Sequence, residues 1–185
     1  MIGELMELIT PRLLLREFRQ TDLDSLAAYA SQPELRRYEK GLPDRESSLI
    51  FLERIIQRAA EKPRNHYCLA IIVPTVDKVI GYISLNSQNP EIKEWEIGWS
   101  IQYEDWGKGY ASEAAHRMLE YAFNQLSAHR VVAFCHTENT ASVKVMEKTG
   151  MKQEGRLRET RWFNDCWADE FVYAILESDY ENYRA

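Results

Sequence analysis

The sequence predicts an α/β fold around a mixed central sheet of about seven strands, flanked by about four helices. Three observations predict it. Strand-like and helix-like runs interleave in the order βααβββαβαββ, which requires helices packed on a sheet. From Ile92 to Ile101 the chain alternates, with Trp95, Ile97, Trp99 and Ile101 on one face and Glu94, Glu96, Gly98 and Ser100 on the other. Further on, Ala111, Ala114, Ala115, Met118, Leu119, Ala122, Phe123 and Leu126 fall on one side of a helix, the best amphipathic pattern in the chain.

The elements follow in order. Arg12 to Phe18 reads as a first strand behind Pro11. Thr21-Asp22-Leu23-Asp24 reads as a helix start, with Thr21 as cap and an acid three residues on. A second helix runs from Asp44 to about Glu61, with Leu49, Leu52, Ile56 and Ala59 on one face and Pro63 past its end. Tyr67–Val73 and Val79–Leu85 read as strands paired about a turn at Pro74–Lys78. The strand Ile92–Ile101 comes next; Gly98 within it suggests a bulge or a close backbone approach. After the amphipathic helix, Arg130–His136 is a strand and Asn139–Thr149 a helix closed by Gly150 at C′. Two strands, about Met151–Glu159 and Glu170–Leu176, precede an acidic tail.

Gly107 and Gly109 sit where the alternating strand gives way to the amphipathic helix. A helix start leaves backbone N–H groups unpaired and pointing one way, and the helix dipole adds positive charge there. Such a junction suits a phosphate or diphosphate. Glycines allow the tight turn and let a ligand approach the backbone. A P-loop is excluded, because Gly109 follows Gly107-Lys108 and Gln102 stands where the first glycine belongs. A dinucleotide fingerprint is excluded, because Ser112 follows where a third glycine or alanine is needed and the stretch lies past mid-chain. A glycine-rich turn before an ordinary helix is the simpler reading of the same residues.

The bulk composition narrows the partners. All 185 residues read as one domain, 1–185, long enough to bury a real core. No apolar run approaches the roughly 18 residues of a membrane span. Met1–Glu7 is acidic and has no signal-peptide pattern, and the three scattered cysteines (Cys68, Cys135, Cys166) fit a reducing cytoplasm. The net charge of −6, without a basic cluster, argues against direct nucleic-acid binding and suits a cationic substrate such as an amine. The four histidines, His66, His116, His129 and His136, lack metal-ligand spacing, so no metal is expected.

Trp106-Gly107-Lys108-Gly109-Tyr110-Ala111 resembles the acyl-CoA loop [QR]-x-x-G-x-[GA] of the GNAT superfamily of N-acetyltransferases. Gly109 and Ala111 fit, and Trp106 departs at the first position. Asn139-Thr-Ala-Ser142-Val-Lys-Val-Met146-Glu-Lys148-Thr-Gly150-Met151 resembles a second motif of that family, N-x-x-[AS]-x-x-x-Y-x-K-x-G-F, one strand further on. Thr10-Pro-Arg-Leu-Leu-Leu-Arg-Glu-Phe, Ile80-Gly81-Tyr82-Ile83 and Glu96-Ile-Gly-Trp99 are similar to the branch holding the ribosomal-protein N-terminal acetyltransferases. The resemblance covers nearly the whole chain. It implies that the central strand splays from its parallel neighbour to form a V-shaped acetyl-CoA cleft. Pantetheine would pair with the backbone of Trp99, Ser100 and Ile101, the pyrophosphate would sit on Gly107, Gly109, Tyr110 and Ala111, and Trp106 and Lys108 of the same loop would also bind acetyl-CoA. Asn139 would meet the pantetheine arm, or cap its helix, or both.

The implied reaction is attack of a neutral amine on the acetyl-CoA thioester. The oxyanion needs donors, most simply backbone N–H groups near Trp99. The thiolate needs a proton, and relatives use the tyrosine of the second motif. Met146 stands there and cannot donate, so Ser142, one turn earlier on the same helical face, is the candidate thiol partner; close packing by a small residue is its other reading. Glu96 is the candidate base, with Glu94 its neighbour; an ion-paired surface glutamate is the alternative. Cys135, mid-strand, reads as core, which disfavours an acetyl-cysteine route. Trp162, Phe163 and Trp167, expected in the last loop, could shape the acceptor pocket or merely pack, and Asp165 and Asp169 could attract a cation or serve the turn. Candidate acceptors are a protein N-terminus of the ribosomal kind, or a polyamine, amino acid or aminoglycoside. A non-catalytic acyl-CoA-binding module and either a monomer or a homodimer stay open.

Overall fold

A computed structural model describes residues 6–38, 44–163 and 165–184. The reading of the first residues as lacking a targeting segment falls on Met1–Leu5, outside the described residues. The strands are β1 (Glu7–Ile9), β2 (Leu14–Glu17), β3 (His66–Val73), β4 (Lys78–Asn89), β5 (Glu94–Ile101), β6 (Arg130–His136), β7 (Lys152–Phe163) and β8 (Cys166–Leu176). The helices are α1 (Leu23–Ala30), α2 (Arg45–Ala59), α3 (Tyr110–Asn124), α4 (Thr140–Lys148) and α5 (Glu177–Arg184). The sheet runs β1-β2-β3-β4-β5-β6-β8-β7, antiparallel throughout except for the parallel β5–β6 pair.

The α/β class with a mixed sheet is as predicted, with eight strands and five helices among the described residues rather than about seven and four. The additional strand, β1, pairs with β2 through Glu7↔Arg16, Leu8↔Leu15 and Ile9↔Leu14. The additional helix, α5, takes the place of the acidic tail. β4, β7 and β8 all outrun the sequence reading, so Trp162, Phe163 and Trp167 sit on paired strands rather than in a loop.

Helices cover both faces of the sheet. On one face Ala114, Ala115, Met118, Leu119 and Ala122 of α3 pack on Leu69, Ile83, Leu85 and Ile97. On the other, Leu26 and Tyr29 of α1 and Leu52 and Ile55 of α2 pack on Cys68, Ala70 and Ile72. The buried side of α2 is therefore rotated from the expected Leu49–Ile56 face onto Ser48, Leu52 and Ile55. Asp44 caps α2 by accepting the Ser47 N–H at 2.7 Å. Helix α4 ends as predicted: Gly150 has φ +79°, its N–H donates to the Glu147 carbonyl, and the Met151 N–H donates to the Met146 carbonyl, a Schellman closure.

The start of α1 differs from the expected Thr21 cap. A short 3₁₀ turn, Gln20–Asp22, precedes the helix, and Asp22 accepts the Arg19 N–H at 2.7 Å. Buried Arg16 holds the same carboxylate through two bonds of 2.7 and 2.8 Å. Arg16→Met leaves Asp22 a buried charge without its partner, and such removals cost about 3–5 kcal/mol. Urea unfolding is expected to register that loss, and a change below about 1 kcal/mol would show the pair to be dispensable.

Candidate active site

β5 and β6 pair only at Glu94↔Arg130, Trp95↔Val131 and Glu96↔Val132. β5 continues against β4 as far as Ile101↔Gly81, and β6 continues against β8 as far as His136↔Glu170. The two strands therefore diverge after Glu96, and among the described residues Ile97–Ile101 have no strand partner on the gap side. This is the splay the resemblance implied. The ladder with β4 runs unbroken past Gly98, where an added Cβ would meet only Ser84 Oγ, at 3.4 Å. The close backbone approach is instead at Gly81: a Cβ there would stand 2.1 Å from the Ser100 carbonyl oxygen, so only glycine fits beneath the splayed end of β5.

A cleft of about 440 Å³ opens at this gap. Its walls include Trp99, Ser100 and Ile101 of β5, Trp106, Gly107 and Gly109 of the following loop, and Tyr110 and Ala111 of α3. Asn139 and Ser142 of α4 form another wall, and Arg37 and Tyr38 close one side. Ten of the eleven positions expected to hold an acyl donor thus line one space. Lys108 is the exception: its ammonium turns onto Asp105 Oδ1 at 2.6 Å, which raises its pKa.

The chain bends into α3 through Gly107 (φ +78°) and Gly109 (φ +81°), a left-handed conformation that a side chain disfavours. The first helical bond runs from the Glu113 N–H to the Gly109 carbonyl at 3.0 Å. N–H groups before it have no acceptor within the helix, and Gly109 offers no capping side chain. A cradle of donors at a helix N-terminus is chemically suited to a phosphate-bearing group. The Trp106 indole closes the turn by donating to the Ile101 carbonyl at 2.7 Å.

Asn139 caps α4, its Oδ1 accepting the Ser142 N–H at 3.1 Å, so the capping reading holds while the residue also lines the cleft. Ser142 faces the cleft, whereas Met146 is fully buried in the core. Glu96 is not a wall residue. It is the last β5 position paired with β6, on the sheet face opposite α3, half-buried at the vertex of the V. Burial raises its pKa, nearby Glu170 adds to the rise, and Arg161 opposes it. Gln88 Nε2 donates to Glu96 Oε2 at 2.5 Å; Gln88 is the extra residue of a bulge between Ser87 and Asn89. Glu94 is ion-paired with Arg130 at 2.8 Å.

Beyond the vertex, Arg161 Nη1 donates to the Tyr38 carbonyl at 3.2 Å, and its Nη2 faces Glu170 Oε1 at 2.9 Å without hydrogen-bond alignment. Tyr38 stands 5.3 Å from the His136 ring. Trp162 and Trp167 meet edge-on at 5.1 Å as an exposed cross-strand pair. Asp169 serves the hairpin: it pairs with Arg156 and accepts the Glu159 N–H at 2.8 Å, pinning a bulge at Glu159 (φ +53°). Asp165 lies in the hairpin turn at φ +58°. Cys135 is buried, and that burial pushes its thiol up to about 11, which keeps it protonated and a poor nucleophile. Among the described residues, no three His, Cys, Asp or Glu are grouped to hold a metal ion.

Arg12 and Gln88 escaped the sequence reading as site residues. Arg12 acts across 101 positions on Glu113, and Gln88 depends on a bulge with no local turn signal.

A mixed sheet splayed at its parallel pair, with an open helix N-terminus at the mouth of the gap, defines a class of proteins built to hold an extended anionic donor along a strand edge. Residues 12–152 match the model of the acetyltransferase (GNAT) domain family. The chain is 35% identical to the Bacillus subtilis uncharacterized N-acetyltransferase YnaD, over 95% of this chain and 99% of that one. It superposes on the crystal structure of a GNAT-family acetyltransferase from Bacillus anthracis with a TM-score of 0.82 at 32% identity, covering 94% of this chain and 99% of that one. Shorter matches are the Escherichia coli ribosomal-protein-serine acetyltransferase (29% identical; 60% of this chain, 63% of that one) and the Vibrio cholerae spermidine N(1)-acetyltransferase (32%; 56% and 60%). The chain belongs to the GNAT family and is an N-acetyltransferase, an enzyme class that uses acetyl-CoA. Among the described residues no helix is long and apolar enough to cross a membrane.

Proposed function

We propose that this acetyltransferase binds acetyl-CoA in the β5–β6 cleft and acetylates the α-amino group of a protein N-terminus, one of the ribosomal kind first. The convergence of the unpaired β5 edge and the α3 N-terminus on one cleft carries the binding half of this reading. Pantetheine pairs along Trp99–Ile101, the diphosphate takes the N–H groups of Gly107–Ala111, and Asn139 meets the pantetheine arm. Trp106 covers the loop, and Lys108 contributes through its backbone, its ammonium being paired with Asp105.

Glu96, through a water, removes the ammonium proton. The neutral amine then adds to the thioester carbonyl, and backbone N–H groups near Trp99 receive the oxyanion. Collapse breaks the C–S bond and forms the amide as the nitrogen gives its second proton to water, and the Ser142 hydroxyl supplies a hydrogen bond to the departing thiolate or relays a water proton to it. An α-amino group titrates at about 8 against about 10.4 for lysine, so a carboxylate reached through water is a strong enough base to deprotonate it. The exposed Trp162–Trp167 pair and the Tyr38–His136 side offer an acceptor surface.

Ser142→Ala is expected to lower turnover about 10-fold with acetyl-CoA affinity nearly unchanged; unchanged turnover removes Ser142 from the chemistry. A second acceptor, a polyamine, is favoured by the net charge of −6 and by the spermidine N(1)-acetyltransferase relative. The deciding experiment measures CoA release with free-N-terminus peptides, the same peptides N-blocked, polyamines, amino acids and aminoglycosides. Selective turnover of the free peptides supports the first reading, and turnover confined to small amines overturns it in favour of the second.

A further inference from the structure

Arg12 lies outside the cleft wall, yet its guanidinium grips the loop beneath it. Its Nε and Nη2 each meet Glu113 Oε2 at 2.6 Å, and Nη1 donates to the Lys108 carbonyl at 2.9 Å. The cation stands 4.8 Å over the Tyr110 ring, and Nη2 is the nearest atom, at 3.5 Å, to a Cβ built on Gly109. Glu113 also accepts the Arg12 backbone N–H at 2.9 Å and the Thr10 hydroxyl at 2.6 Å.

Glu113 occupies the first turn of α3, beside the N–H groups assigned to the diphosphate. A carboxylate there suits an empty helix start and repels a bound anion. Of the other acids of this loop, Asp105 already holds Lys108 and Glu104 accepts from Gln32. Arg12 is the cation that lies on Glu113.

We propose that Arg12 is a positioning residue for the acyl donor: it cancels the charge of Glu113 and ties down the Lys108 carbonyl, which keeps the α3 N-terminus electropositive and the loop set for a diphosphate. The proposal rests on the diphosphate placement above and goes beyond it by assigning a residue that does not touch the ligand.

Calorimetric titration of acetyl-CoA into the wild type, Arg12→Gln, Arg12→Lys, Glu113→Gln and the Arg12→Gln/Glu113→Gln double variant tests it. Arg12→Gln is expected to raise Kd about 10-fold or more, with kcat at saturating acetyl-CoA within about twofold, and Arg12→Lys to fall between it and wild type. The double variant is expected to return to within about threefold of Glu113→Gln alone, and the Arg12→Gln defect to shrink as salt rises toward about 0.5 M. An unchanged Kd in Arg12→Gln overturns the proposal alone, and so does a double variant as weak as that single one, which would make Arg12 a direct ligand contact. Failure of the wild type to bind acetyl-CoA overturns the underlying placement and the proposal with it. Arg12 is half exposed, so the variants should fold, and a thermal melt on each checks this.

Discussion

Glu96→Gln is expected to lower kcat/KM for an amine acceptor by about 100-fold while leaving acetyl-CoA affinity within about twofold. Glu96 stands at the vertex where β5 leaves β6, on the face opposite α3, and the bulged Gln88 orients its carboxylate. Burial first, and Glu170 second, raise its pKa against the pull of Arg161. A carboxyl raised this way stays protonated to a higher pH than the ordinary value of about 4.3. Its base form is lost as the pH falls through that raised value, so wild-type kcat/KM should drop on the acid side with a midpoint above the ordinary one. The glutamine variant should lose that limb and keep only the titration of the acceptor amine. The stability sign runs the other way. A raised folded pKa means that folding disfavours the ionised carboxyl, a penalty absent well below the unfolded pKa and fully present above the folded one. Glu96→Gln should therefore not lower stability at neutral pH, which separates lost chemistry from lost fold. An unaltered pH profile would remove Glu96 as the base.

Gly109→Val is expected to weaken acetyl-CoA binding on the order of 100-fold. Gly109 holds φ +81° as the residue before α3, and a β-branched side chain there is a genuine outlier costing about 1–3 kcal/mol. Each ~1.4 kcal/mol is tenfold in affinity, and a loop that relaxes to negative φ turns its N–H groups away from the anion. Within the protein an added Cβ would meet only Arg12 Nη2, at an ordinary 3.5 Å, so the strain there is conformational. The loop is largely exposed and can relax, so the melting temperature should fall by no more than several degrees. A Kd within threefold of wild type would place the diphosphate elsewhere.

The parts of the fold legible in the sequence are those fixed locally. The α3 stripe, the alternation of β5, the left-handed glycines and the Schellman close of α4 each follow from residues a few positions apart, and the structure places them where the sequence put them. The end of β5, the glycine motif and the asparagine motif therefore brought ten of eleven expected donor-side residues to one cleft. What the sequence hid depends on distant partners. β1 is three residues long and forms only by pairing with β2. The β7–β8 hairpin reaches Phe163 because Asp169 pins a bulge at Glu159, a polar contact that reads locally as loop chemistry. Asp22 displaces Thr21 at the start of α1 because Arg16, on the preceding strand, demands its carboxylate. Lys108 is one of the expected acetyl-CoA-binding residues, and Asp105, three residues earlier, takes its ammonium.

A crystal structure of the protein with acetyl-CoA tests whether the β5–β6 cleft holds the acyl donor with its diphosphate on the start of α3. Diphosphate oxygens are expected within about 2.7–3.2 Å of the N–H groups around Gly109, Tyr110 and Ala111, with pantetheine along Trp99–Ile101. Acetyl-CoA bound with its diphosphate away from the α3 N-terminus, or with pantetheine off the β5 edge, would contradict it.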